Sequence, residues 1–122
     1  MTKILLVEDD KNAISLYKQI LESGGYQVEI AEDGEAGLTK IKEGGHSLVL
    51  LDVMIPKMDG LAVLSALKKD PPKTPTGKIV LLTNLTHNSI LEEAKSLGAA
   101  EYLDKASLNP DQFLEKVKSF LQ

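Results

Sequence analysis

Four positions able to do polar chemistry each lie just beyond an aliphatic run. Asp52 closes Leu48-Val49-Leu50-Leu51 and is followed by a loop punctuated by Pro56 and Gly60. Glu8, Asp9 and Asp10 follow Ile4 to Val7, Thr83 follows Ile79 to Leu82, and Lys105 stands just past Ala100 to Leu103. Short aliphatic runs bounded by turn residues are the pattern of strands buried on both faces, as in a parallel sheet covered by helices. Open α/β sheets take their ligands outside the carboxyl ends of the strands, so all of these groups fall at one edge. Carboxylates gathered there repel one another unless positive charge joins them. A hard divalent cation on oxygen ligands supplies that charge, with the Lys105 ammonium as a second source. Mg2+ suits the site because it takes a few carboxylates, keeps waters and accepts a phosphoryl oxygen; Mn2+ is the alternative ion. Taken alone, Asp52 also reads as a simple cap on its strand or on the next helix.

The elements that must position these groups alternate along the chain. Apolar residues at helical spacing mark helices over Asn12 to Ser23, from the Asp33 cap to Gly44-Gly45, and from Leu61 to the stop near Asp70-Pro71-Pro72. Ile90, Leu91, Ala94 and Leu97 mark a fourth helix, within a segment read as His87 to Leu97. The run Asn109-Pro110-Asp111-Gln112 has the form of a helix start, with an N-cap, Pro at the first helical position and Gln at the third. Gln27 to Ala31 alternates weakly and suits an edge strand. Pro71 to Gly77 reads as an exposed connection, not a domain linker. Five strands alternating with five helices predict an α/β (βα)5 three-layer sandwich: a parallel five-stranded sheet joined by right-handed crossovers, with helices on both faces. The strand order 2-1-3-4-5, taken over from flavodoxin-like folds, would set Asp9 beside Asp52.

Composition narrows the function classes. The 122 residues suffice for one domain with a single buried core, expected to span 1–122. The net charge is −4 and all 14 basic residues are Lys. Without Arg, the side chain best suited to reading guanine edges and clamping phosphate, direct nucleic-acid binding is not expected. The absence of Cys excludes disulfides, thiolate metal sites and Cys nucleophiles. The apolar run at Ile4 to Val7 is too short for a signal peptide or a membrane span, so a cytoplasmic location with no membrane partner is expected.

In these motifs the sequence resembles the receiver domain of two-component response regulators over its whole length. The resemblance implies that Asp52, within Leu51-Asp52-Val53-Met54-Ile55-Pro56-Lys57-Met58-Asp59-Gly60, is the phospho-acceptor. It matches Glu8 and Asp9 to the acidic pair that binds Mg2+ with Asp52 and the backbone carbonyl of Met54. Thr83 matches the hydroxyl that meets the phosphoryl group, Lys105 the ammonium that pairs with it, and Tyr102 the switch aromatic. Such a domain takes phosphate from a histidine kinase or phosphotransfer protein and catalyses only its own phosphorylation and dephosphorylation. It then alters the surface of its fourth helix, fifth strand and fifth helix for a downstream protein or an attached effector domain. Because the chain starts with Met and ends in a full helix, a single-domain regulator is the simplest expectation.

Three departures from the family pattern carry consequences. Ala106 follows Lys105 where the family usually has Pro after a cis bond; cis before Ala costs about 2.5–4 kcal/mol, so either the fold bears that cost or the loop is rearranged. Asn84 replaces the small residue often found after the Thr, which would narrow access to Asp52. Met54 and Leu85 flank the phosphoryl position, where polar side chains often orient attacking water. Two apolar side chains there predict a phosphorylated state longer-lived than in receivers with polar residues at both positions. A time course of phosphoprotein decay checks this, and metal-dependent loss within seconds would contradict it. His46 and His87 lack metal-ligand companions and read as exposed, and Lys57 and Asp59 as shaping the loop beside Asp52. Tyr102 has a second reading as a partly buried core residue.

Rival functions stay in view. A flavin binder would want a neutral, hydroxyl-rich loop after the first strand, where Glu8-Asp9-Asp10 stands. A phosphohydrolase with an Asp nucleophile would want a second acid at position 54 and a cap. An inert receiver used only as an interaction module is the third.

Overall fold

The computed structural model describes residues 2–72, 77–83, 88–105 and 109–122. Strands β1 (Lys3–Val7), β2 (Gln27–Ala31), β3 (Leu48–Asp52), β4 (Lys78–Thr83) and β5 (Glu101–Asp104) alternate with helices α1 (Lys11–Ser23), α2 (Gly34–Glu43), α3 (Gly60–Lys69), α4 (Asn88–Ser96) and α5 (Pro110–Leu121). All strand pairs are parallel and the order is β2-β1-β3-β4-β5, the flavodoxin-like arrangement. Weakly patterned β2 is at an edge, as its sequence suggests.

Alternate residues of the central strands feed two apolar layers, as the period of two in a strand requires. Leu5, Val7, Val49, Leu51 and Leu81 face one layer with Ile41, Val63, Leu64 and Ala94 from α2, α3 and α4. Ile4, Leu6, Leu48, Leu50, Val80 and Leu82 face the other with Tyr17, Leu21, Phe113 and Val117 from α1 and α5. Every residue of β3 is buried, which is why its sequence is aliphatic without alternation.

Polar side chains stop the strands and start the helices. Asp10 caps α1 through Asn12 N at 3.1 Å, Asp33 caps α2 through Ala36 N at 2.8 Å, and Asp59 caps α3 through Ala62 N at 2.8 Å. Each carboxylate satisfies an amide that the first helical turn leaves without a partner. At α5 the predicted capping box is present: Asn109 Oδ1 accepts from Gln112 N at 2.8 Å, and Gln112 Oε1 accepts from Asn109 N at 3.0 Å. Asp10 is thus engaged with its helix, although it belongs to the acidic run.

Two readings need correction. His46 is buried, not exposed, and its Nε2 lies 2.7 Å from Glu29 Oε1. Glu29 also has Lys3 and Lys40 near it at 3.8 and 3.7 Å, and its contact with His46, foremost, holds its carboxyl below the ordinary range. Tyr102 is 44% exposed on β5 and is no core residue. The readings placed on Asn84, Leu85, His87 and Ala106 lie outside the described residues.

Candidate functional site

Register assembles the site. Val7 pairs with Leu51, so Glu8 and Asp52, each one residue further on, leave adjacent strands together. Asp52 pairs with Leu82 on the other side, which sets Thr83 next to it, and Thr83 pairs with Asp104 just before Lys105. The amide of Lys105 donates to the carbonyl of Thr83 at 2.9 Å, fixing where the Lys side chain begins.

Lys105 Nζ reaches 2.7 Å from Asp52 Oδ2 and 2.8 Å from Glu8 Oε2. Glu8, Asp52 and Thr83 are all buried, at 1%, 6% and 2% exposure, so one ammonium neutralises two carboxylates largely withdrawn from water. The other oxygen of Asp52 accepts from the amide of Met54 at 2.9 Å. Burial pushes Glu8 up to about 7, helped by its carboxyl neighbour Asp52 and opposed by Lys105. Burial also works against the charge on Lys105, but its contacts with Asp52 and Glu8 outweigh that and raise it above the ordinary lysine value.

Asp9 stands at the mouth, exposed, and lines an open depression with Met54, Pro56, Asp59 and Ile90. Glu8, Asp9 and Asp52 can bring one carboxylate oxygen each within 4.8 Å of one another. Opposed oxygens in octahedral Mg2+ coordination are about 4 Å apart. The donors are hard oxygens and need only a small contraction to meet such an ion, so the residues fit it. In the apolar layer of α1 and α5, the ring centroids of Tyr17 and Phe113 lie 4.8 Å apart.

Residues 4–118 match the sequence pattern of the response regulator receiver domain. The chain belongs to that family. Curated relatives include the transcriptional regulatory protein YkoG of Bacillus subtilis, 38% identical over 98% of this chain and 50% of the relative. The transcriptional regulatory protein CpxR of Escherichia coli is 37% identical over 100% of this chain and 50% of its own length. The receiver therefore spans about half the length of the curated relatives it matches. Among solved structures, a CheY-like receiver domain protein from Methanospirillum hungatei superposes with a TM-score of 0.86 at 35% identity, covering 99% of this chain and 94% of that one. The response regulator TrrA of Thermotoga maritima, solved in complex with Mg2+ and BeF, superposes with a TM-score of 0.81 at 38% identity, covering 98% and 99% of the two chains.

Of the residues singled out in the sequence of this receiver, Glu8, Asp52, Thr83 and Lys105 converge, and Asp9 and Met54 line the mouth. Tyr102 is on β5, with its partner Leu81 preceding Thr83 by two residues. Sequence reasoning missed the arrangement of the loop between β3 and α3. There Lys57 has a φ of 69°, and the amide of Met58 donates to the carbonyl of Pro56 at 2.8 Å. Pro56 and Gly60 signal the loop, and neither foretells a left-handed lysine between them.

Proposed function

We propose that this receiver accepts a phosphoryl group on Asp52 from a phosphohistidine of a histidine kinase or phosphotransfer protein. Glu8, Asp9, Asp52 and the backbone carbonyl of Met54 would hold Mg2+ or Mn2+. The reading rests above all on Lys105, which shares its ammonium between the two buried carboxylates at the mouth of the sheet. When bound, the cation offsets negative charge on the acids and on the incoming phosphoryl oxygens.

The chain's own part follows from the geometry. The Met54 amide and Lys105 ammonium each hold one oxygen of Asp52, so the carboxylate is oriented before a donor arrives. An oxygen of Asp52 forms the new P–O bond while the donor's P–N bond breaks, and the imidazole leaves with that electron pair. Lys105 supplies fixed positive charge where negative charge develops. The domain thereby promotes its own phosphorylation and, with water as acceptor, its own dephosphorylation.

The product carries roughly −1.5 to −2 additional charges. Thr83 and Lys105 are the proposed donors to the phosphoryl oxygens, and the amide link between them couples the ends of β4 and β5. Ile90 of α4 shares the depression with Asp9 and Met54, so the site borders the helix expected to respond. Exposed Tyr102 is proposed to turn inward as Thr83 moves, shifting existing populations. The face of α4, β5 and α5 then meets a downstream protein or an attached effector domain. No helix among the described residues is long and apolar enough to cross a membrane, and a cytoplasmic setting is proposed.

Incubation with Mg2+ and acetyl phosphate or a phosphoramidate, followed by intact mass, tests the reading. Wild type should gain one phosphoryl group and Asp52→Asn none. Equal uptake by the variant, or no uptake by wild type, would refute it.

A further inference from the structure

The loop between β3 and α3 carries the Met54 carbonyl and contains a backbone conformation that does not hold itself. An i to i+2 hydrogen bond closes around Lys57, at a φ of 69°, and γ-turns with positive φ are rare and strained. Strain of this kind persists where surrounding structure over-determines it. The surroundings here are the start of α2. The Pro56 carbonyl that accepts from Met58 also accepts from the amide of Gly34 at 3.2 Å, the first residue of α2. That amide is one of those a helix leaves unpaired. Asp33, the cap of α2, places Oδ2 3.6 Å from Lys57 Nζ. Gly34 also lets the backbone come close: a Cβ there would overlap the Met58 carbonyl oxygen and lie 2.7 Å from Met58 Cβ.

We propose that Gly34 is a positioning residue for divalent-cation binding, bracing from α2 the loop that presents the Met54 carbonyl. The inference rests on the proposed cation site and adds to it a residue that touches neither ion nor Asp52. Gly60 and Val53 fix the other end of the same loop, with Gly60 N donating to Val53 O at 2.8 Å. Displacement at Met58 is therefore transmitted toward Met54 and not dissipated in a free segment.

Gly24→Ala is the matched control. It is the same exchange at the end of α1, between α1 and β2 and away from the acids, and its Cβ would meet Leu114 Cδ1 at 2.8 Å. Mg2+ affinity of the full chain, measured by calorimetry or amide-shift titration, should fall at least threefold in Gly34→Ala. In Gly24→Ala it should stay within twofold of wild type, whatever either variant loses in melting temperature. Equal affinities in wild type and Gly34→Ala, or equal losses in both variants, would overturn the brace. Should Gly34→Ala fail to fold, amide exchange in wild type decides: saturating Mg2+ should slow exchange at Gly34 at least threefold, and an unchanged rate there would overturn the proposal. If wild type itself takes no Mg2+, the cation site falls first and the brace with it.

Discussion

Lys105→Ala is expected to lose about 3–5 kcal/mol of stability at pH 8 without divalent cation, the usual cost of removing one partner from a buried ion pair. The loss should be much smaller at pH 5.5. Lys105 is the ammonium within hydrogen-bond reach of both Asp52 and Glu8, and its removal leaves two buried carboxylates facing each other. At low pH, Glu8 escapes by taking a proton, which its burial already favours. At high pH that escape costs more with each unit, so the penalty grows. Millimolar Mg2+ should return much of the loss, because an ion bound only by the folded chain at a hundredfold its dissociation constant stabilises by about 2.7 kcal/mol. Urea unfolding at the two pH values, with and without Mg2+, reads all of this. A loss equal at both pH values would mean that Lys105 contributes mainly through packing.

The second large effect concerns protons and metal together. Glu8 is raised from 4.5 to about 7 in the folded chain, so between those values the native state holds a proton that the unfolded state has released. Its contribution to stability is therefore fully present below pH 4.5 and is lost as pH rises through 7, amounting to about 3 kcal/mol at most. Cation binding needs the ionised carboxylate, so Mg2+ affinity should run the opposite way. It should weaken about tenfold from pH 8 to pH 6, with release of a proton on binding. Calorimetry in buffers of differing ionisation enthalpy measures that proton directly. Glu8→Gln should flatten the dependence while lowering affinity at every pH. A wild-type affinity constant across this range would place the titrating group elsewhere.

The convergence of Glu8, Asp52, Thr83 and Lys105 was legible because each terminates or follows a strand whose aliphatic run is hard to misread. Parallel order then leaves them nowhere else to meet. The capping box at Asn109 was legible for a similar reason, since its residue types are demanded within four positions. What escaped depends on contacts between segments distant in sequence. His46 follows two glycines and has no local partner, so nothing nearby signals that Glu29, across β1, will take its ring. Asp10 reads only as part of the acidic run until the helix that it caps is seen to start at Lys11. Lys57 reads as shaping its loop, but its conformation escapes, because left-handed backbone leaves no mark on a residue type that seldom adopts it. Gly34 reads as a helix start after an Asp, with no hint that another loop lies against it.

The two ends of the sheet differ in kind. At the rim opposite the acids, the ring of His46 is sealed from water, with Nε2 on Glu29 and Nδ1 without a partner among the described residues. It stands six residues before Asp52, roughly 20 Å along an extended strand. The chain has only two imidazoles, so its proton resonance offers an uncluttered sentinel. A chemical event at Asp52 changes that signal only if it is felt across the length of the central strands, and silence from it would localise the event to the opposite rim.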